Sequence, residues 1–299
     1  MSFHLFGNIL TVYGTAANNR GESEGNITTL QKLLWKGEVH TTVSAEAIRW
    51  ALRYFWQNSE YDFEVNRQWH DAKNDYDWQS QHFDELLYID DDVLGFMRAE
   101  GAKVDESDPP KKGKKAPKGT ATVKRGVLEV TRAVSMIPYT GDITFNSTGG
   151  AKGSTSLYGT EVHATRYQYG FAMTPERLKV KERIIPTLDG LSSIGEVGGN
   201  HARFLYDFSP DSIVLRWTND FSPRFLYCFE EDDEGAISAP DLLRRIAAGD
   251  IEAKELWVGG AIAHTATGSK LDELGVKLFP GVKAAVTDLQ ARITRDLQL

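Results

Sequence analysis

The stretch TVYGTAANNRGESEGNITTLQKLLWKGEVHTTVSAEAIRWALRYFW, residues 11–56, decides the fold. It opens at the end of an apolar, β-branched run, FHLFGNILTVY (3–13), which reads as a strand buried on both faces. Gly14 to Asn26 follows as a glycine-punctuated loop carrying Asn18-Asn19-Arg20. Ser44 then stands as the N-cap of a helix. Val43 and Ile48 occupy the staple positions, Glu46 sits in the first turn, and Ile48, Leu52 and Phe55 form the apolar stripe. Arg49 and Arg53 lie four apart at the edge of that stripe, so both heads point the same way, either snorkelling into water or gripping an anion.

The 299 residues can bury a sizeable core, as one large domain or two, and 41% apolar with 25% charged residues is ordinary for a globular chain. No apolar run reaches membrane-spanning length, and the first residues lack the basic region and cleavage site of an export signal. One cysteine, Cys228, excludes an internal disulfide and fits a reducing compartment, so the expected location is cytoplasmic. A net charge of −8 argues against a generic nucleic-acid binder, but the charge is unevenly placed. Residues 1–100 carry 8 Lys/Arg against 16 Asp/Glu, residues 101–183 carry 15 against 8, and residues 184–299 carry 11 against 18. The basic middle either lines a groove for an anion or, through Lys111, Lys112, Lys114, Lys115 and Lys118, solvates a loop.

Beyond the helix, residues 57–98 mix aromatics with acids and read as an irregular inserted subdomain. Asp90-Asp91-Asp92 lacks calcium-loop spacing and reads as a solvated helix start, and His70 and His82 have no zinc-ligand partner in spacing. Residues 100–125 form a lysine- and proline-rich linker. A long hairpin follows at about 138–160, its STGGAKGST tip failing the phosphate-loop pattern because Lys152 precedes the glycine. A short helix (184–195) leads to the glycine-rich turn Gly198-Gly199-Asn200, which does not match the dinucleotide pattern. Three strands, ARFLYDF, SIVLRWT and PRFLYCF, come next. A helix at 240–249, an irregular apolar stretch around Trp257 and a helix at about 281–297 close the chain. The order is α+β and suits a ferredoxin-like βαββαβ core carrying large insertions.

The blocks NNRGESEGN, TLQKLLWKGEVH and VSAEAIRWALR, then RAVSMIPYTGD, HATRYQYGF and VGGNHAR, resemble in the same order the DevR-type backbone subunit of type I-B CRISPR Cascade. That family lies in the RAMP superfamily, and the similarity spans roughly residues 4–230. It implies an RRM-like palm (1–56 and 127–299), an inserted helical fingers subdomain (57–126) and a protruding thumb hairpin. It also implies stacking of copies along a guide RNA (crRNA), which pairs with target DNA, beside other Cascade subunits and away from membranes. Sequence reading is left to base pairing while the protein holds the backbone. Carried onto this chain, the RNA contacts fall at Asn18, Asn19, Arg20, Ser44, Arg49, Arg53, Lys152, Arg166, Gly198, Gly199, Asn200 and Arg203. Phe145 or Tyr158 is the candidate thumb wedge against an unstacked base.

An RNA endonuclease of the same superfamily is the rival reading. Its cleaving relatives use a histidine, or an aspartate in the loop after the first strand; here that loop offers Glu22 and Glu24, and the seven histidines are scattered. The two failed glycine motifs disfavour a cofactor enzyme. The sequence therefore reads as a non-catalytic scaffold with no cofactor and no metal.

Overall fold

The first strand, β1 (His4–Thr11), is buried at every position. Leu5 and Ile9 point into one apolar core and Phe6 and Leu10 into another, so the strand has to be covered on both faces. The computed structural model describes residues 2–16, 19–73, 75–99, 121–147, 157–197 and 206–299, with backbone alone at 19–22, 98, 99 and 121.

Where a loop was expected after β1, the chain forms β2 (Gly14–Ala16) and β3 (Asn19–Glu24), followed by β4 (Ile27–Leu30). Pairing with the distant β14 draws in β2 and β4, while β3 folds back on β4 through the turn at Gly25. Next, β5 (Lys32–Trp35) and β6 (Glu38–Val43) make a hairpin whose two turn residues, Lys36 and Gly37, have φ of 51° and 92°, the pattern of a two-residue primed turn. Helix α1 (Ala45–Gln57) starts as expected: the Ala47 N–H donates to Ser44 Oγ at 3.2 Å, and Ile48, Leu52 and Trp56 are buried.

Among the described residues the insertion is mostly ribbon, with one short helix in place of the helical subdomain expected. It consists of the ribbon β7 (Arg67–His70) and β8 (Asp75–Trp78), a five-residue helix α2 (Ile89–Val93), and the ribbon β9 (Gly95–Ala99) and β10 (Ala121–Arg125). Cross-strand aromatic pairing explains the ribbons: Trp69 stands opposite Tyr76, their rings 5.2 Å apart.

The chain then returns through β11 (Leu128–Val130), β12 (Ala133–Ser135), β13 (Asp142–Ser147), β14 (Leu157–Thr165), β15 (Tyr167–Met173), α3 (Ile184–Leu191) and β16 (Pro210–Thr218). Two short strands, β17 (Glu230–Glu231) and β18 (Ile237–Ser238), precede α4 (Pro240–Ala247), β19 (Leu256–Gly260), α5 (Ala266–Glu273), β20 (Lys277–Phe279) and α6 (Val282–Leu297).

The large sheet runs β20-β19-β16-β1-β15-β12-β6-β5, with β11 also on β15. Within it, β1, α1, β11, β15, α3 and β16 follow a strand–helix–strand–strand–helix–strand order, and their strands lie as β16-β1-β15-β11, each pair antiparallel. Residues of α1, α3 and α6 (Leu52, Leu188, Leu289) cover the face bearing Leu5 and Ile9. Leu242 of α4, Leu271 of α5, Phe225 and Phe229 cover the other.

Of the three strands expected after residue 200, SIVLRWT alone is one among the described residues. Arg224 and Tyr227 adopt φ of 63° and 57°, which breaks any ladder at 223–229 while still sending Phe225 and Phe229 into the core. Residues 202–205 lie outside the described residues. The stretch around Trp257, expected to be irregular, is β19, paired with β16 over Ser212–Arg216.

The largest departure is Asp90-Asp91-Asp92, which is buried, at 1%, 1% and 0% exposure, not solvated. Each carboxylate is compensated by donors. Asp90 accepts from the Asn66 and Arg67 backbone N–H groups and from Arg53 Nε. Asp91 accepts from Asn66 Nδ2 and the Asp84 N–H, each at 3.0 Å. Asp92 accepts from the N–H groups of Lys179 and Val180, from Arg183 Nη1 at 3.0 Å and from Lys124 Nζ at 2.9 Å. Replacing Asp92 by alanine leaves the buried Arg183 without its carboxylate and Lys124 with Glu85 alone. The substitution is expected to cost about 3–5 kcal/mol in urea unfolding, whereas Asp233→Ala on the exposed acidic turn should stay within about 0.5 kcal/mol.

Candidate nucleic-acid interface

The flank of α1 and the two ribbons of the insertion enclose a cleft of about 740 Å³. Five cations line it, Arg49, Arg53, Arg67, Lys124 and Arg125, against the single carboxylate of Glu46. The helix end fixes one wall, because Gln57 Nε2 donates to Trp69 O and accepts from the Trp69 N–H at its Oε1, both at 2.9 Å, stapling β7 to α1.

Each cation is held differently. Arg53 is tied through Nε to Asp90 Oδ2 at 3.1 Å; burial pulls its pKa down and the carboxylate opposes that pull. Arg67 lies over Tyr76 and Trp78, 5.0 and 5.4 Å from the ring centroids. Lys124 bridges Asp92 and Glu85, at 2.9 and 3.1 Å. Arg125 pairs with Glu129 at the rim. Arg49 is the cation left over: its Nε is buried with no hydrogen-bond partner among the described residues. A cleft this cationic attracts a ligand's negative charge, and a guanidinium without an internal carboxylate is suited to bidentate contact with a phosphate.

The structure brings Ser44, Arg49 and Arg53 together in this cleft. The Ser44 hydroxyl is engaged as the helix cap. Arg166 lies elsewhere, bonded through Nη1 to Asp211 Oδ2 at 2.8 Å and to Thr11 O at 3.2 Å, with Glu231 at 3.6 Å from its Nε. Two carboxylates already hold that guanidinium. Asn19 and Arg20 lie on β3, described as backbone alone, and Asn18, Lys152, Gly198, Gly199, Asn200 and Arg203 fall outside the described residues.

Sequence reasoning missed Arg67, Lys124 and Arg125. The signal for Arg67 was its place in a short aromatic strand facing Trp78, and for Lys124-Arg125 their position where the lysine run meets an alternating segment.

The hairpin β13–β14 lies in a second sheet of order β13-β14-β4-β3. Phe145 stands opposite Gly159, and Tyr158 opposite Asn146, so the two aromatics occupy opposite faces. Phe145 is 75% exposed and shares its face with exposed Leu157, whereas Tyr158 is half-buried. Ile27 and Ile143 close over Gly159 beside Phe145, where an added Cβ would lie 3.1–3.2 Å from their side chains.

Two histidines scattered in sequence meet where β6 and β14 approach. His163 Nδ1 and the Tyr167 hydroxyl both bond Thr41 Oγ1 at 2.7 Å, and His40 Nδ1 lies 2.8 Å from Ser135 O. Burial, with His40 adding to it, pulls the His163 pKa down to about 4. Among the described residues no cluster of His, Cys, Asp or Glu is arranged to hold a metal, and no helix is long and apolar enough to cross a membrane.

A fold of this order, with a cationic cleft beside the core and a ribbon bearing an exposed aromatic, defines a class of protein suited to gripping an extended polyanion. No protein-family model matches the chain. It is 48% identical over 302 residues to the CRISPR-associated protein Cas7/Cst2/DevR of Myxococcus xanthus (strain DK1622), covering 95% of this chain and 96% of that protein. The chain belongs to the Cas7/Cst2/DevR family. Two solved structures share the fold. One is a CRISPR RNA-guided surveillance complex, with TM-score 0.58, 13% identity, and 97% of this chain and 99% of that one covered. The other is such a complex in a pre-nicking state, with TM-score 0.57, 12% identity, and coverage of 95% and 99%.

His163 makes stability pH-dependent. His163 is neutral in the fold but takes a proton in the unfolded chain below about pH 6.5, so stability is lost as pH falls from there towards 4. The full effect is about 3 kcal/mol, and His163→Gln should flatten the decline in a series of melts between pH 7 and pH 4.

Proposed function

We propose that this chain is a backbone subunit of a type I CRISPR RNA-guided surveillance complex. Copies of it stack along the guide RNA beside other Cascade subunits and present the guide's bases for pairing with target DNA. The reading is supported by the family membership and by the shared fold with surveillance complexes. The observation that carries the assignment of the groove is the cleft itself, lined by five cations, with Arg49 Nε buried and unpartnered among the described residues.

In this reading the strand–helix–strand–strand–helix–strand core (1–56 and 127–299) is a ferredoxin-like palm. The insertion (57–126) is the fingers and β13–β14 the thumb. Phe145, exposed at the tip side of the ribbon, is the wedge that stacks on an unpaired base, and Tyr158 braces the opposite face. Arg49 and Arg53 contact successive phosphates, Arg67 and Lys124 set the opposite wall, and Ser44 fixes where the helix begins. Asn18, Asn19, Arg20, Lys152 and the turn Gly198-Gly199-Asn200 with Arg203 complete the RNA contacts. Arg166 serves the palm instead, locking the end of β1 to Asp211. The subunit acts as a scaffold without chemistry of its own, in the type I-B arrangement and in the cytoplasm. The neutral state of His163, bonded through Nδ1 to the Thr41 hydroxyl with no carboxylate paired to it among the described residues, is consistent with that reading.

The test is the protein purified with its co-expressed guide RNA. The 260/280 nm ratio and electron microscopy of one peak should show RNA in a helical oligomer, and that RNA should stay intact on incubation with a divalent metal. RNA shortened to defined products would overturn the scaffold. In the variant Arg49→Ala/Arg53→Ala, RNA should dissociate at lower salt. The slope of log K against log salt should shrink by about 0.7 per copy for each phosphate no longer neutralised. Unchanged retention would remove the cleft from the assignment.

The wedge has its own test. Phe145→Ala should weaken guide binding by about 1–3 kcal/mol per stacked base and make one base per copy more reactive to chemical probes, while Tyr158→Phe leaves both unchanged.

A further inference from the structure

A second groove, of about 680 Å³, lies between residues 61–64, the start of α2 and the segment leading into α3. Its character is the reverse of the cationic cleft. The floor is apolar: Leu86 is 69% exposed and Leu87 44%, with Tyr61 beside them. The rim carries Asp62, Glu64 and Glu182. Arg183, the single cation in the lining, is buried and turned inward to Asp92, while its Nη2 donates to Leu86 O at 2.7 Å. That bond pins the backbone beneath the two leucines, so their exposure is a fixed feature of the surface. Tyr61 is pinned likewise through its hydroxyl to Asp189.

Leucines held outward beneath a carboxylate rim mark a contact for a protein partner, because the rim repels a phosphate chain. The complementary partner is extended, cationic and able to lay apolar rings on the floor. Proline provides such rings at low entropic cost and adds no backbone N–H that needs an acceptor. This chain carries that composition at residues 108–118, DPPKKGKKAPK, with five lysines and three prolines in eleven residues.

We propose that the groove is the docking site for a second copy of this chain, which engages it through its 108–118 segment; the inference rests on the proposed multi-copy function. The second copy is the occupant because the proposed function sets copies side by side, and because the connecting residues leave the ribbon at Ala99 and Ala121, about 13 Å beyond the Gly95–Arg125 end that lies next to α2 and the groove. A segment of one copy in a groove of the next is a heterologous contact, which repeats without closing and generates an open stack.

The test uses two differently tagged full-length chains co-expressed with guide RNA, one carrying Leu87→Cys and the other Lys112→Cys, treated with a short bismaleimide in the purified complex. Cys228 does not interfere, since it is buried and its thiol is pushed up to about 12. The expected product is a cross-link joining the two tags, its yield falling at least tenfold when the Leu87→Cys chain also carries Asp62→Lys and Glu182→Lys. No cross-tag product in an RNA-bearing complex would overturn the docking and leave the proposed function standing. Cross-linking only within a chain carrying both cysteines would overturn it too. The 260/280 nm ratio of the same peak reads the proposed function separately.

Discussion

Three successive buried carboxylates on one short helix set the geometry of this protein. Neighbouring residues of a helix point about 100° apart, so Asp90, Asp91 and Asp92 cannot serve one partner and each reaches a different element. Asp90 joins the start of β7 to Arg53 of α1, Asp91 closes the loop around Asn66 and Asp84, and Asp92 gathers Lys124 with the 179–183 segment. The insertion is thereby oriented against the main sheet and α1 by charge-assisted hydrogen bonds, beside the apolar packing of Val65, Ile89 and Val93 into the common core. Such a junction is directional, and any loss of charge leaves its cations without compensation in the interior.

The same turn separates the two recessed surfaces. Lys124 and Arg53, held by Asp92 and Asp90, belong to the cationic cleft, while Arg183, held by Asp92, lies under the acidic groove. Positive charge is thus presented on one side of α2 and withdrawn on the other. This local sorting resolves the tension between a chain of net charge −8 and a polyanionic ligand.

Much of the main sheet and of α1 was legible in the sequence because local and tertiary preferences agree there. The run FHLFGNILTVY could only be a doubly buried strand, and Ser44 with its staple and stripe could only start a helix. The wedge pair and the arginine spacing were likewise readable as candidates. What could not be read depended on partners far away in the chain. Gly14–Ala16 became a strand because the distant β14 meets it, the β3–β4 hairpin is joined to the same β14 through β4, and PRFLYCF lost its strand to two left-handed residues that no alternation reveals. A run of three aspartates reads as a surface feature until Asn66, Lys124 and Arg183, the last of them 91 positions beyond Asp92, are seen to converge on it. The cations opposite α1 were hidden for the same reason, since only the folded ribbons bring Arg67 and Lys124 to Arg49.

The placement of β1 bears on how the protein is made. Its neighbours in the sheet are β15 and β16, residues 167–173 and 210–218, so a strand buried at every position emerges first and has no permanent partner until most of the chain exists. At about 5–20 residues per second, roughly 10–40 s of synthesis separate Thr11 from Thr218. During that interval the nascent chain exposes a sticky, two-faced strand beside the ribosome, and its folding rate is limited by distant pairing. Yield of the native subunit should therefore respond to chaperone supply more than to any change in the finished cleft.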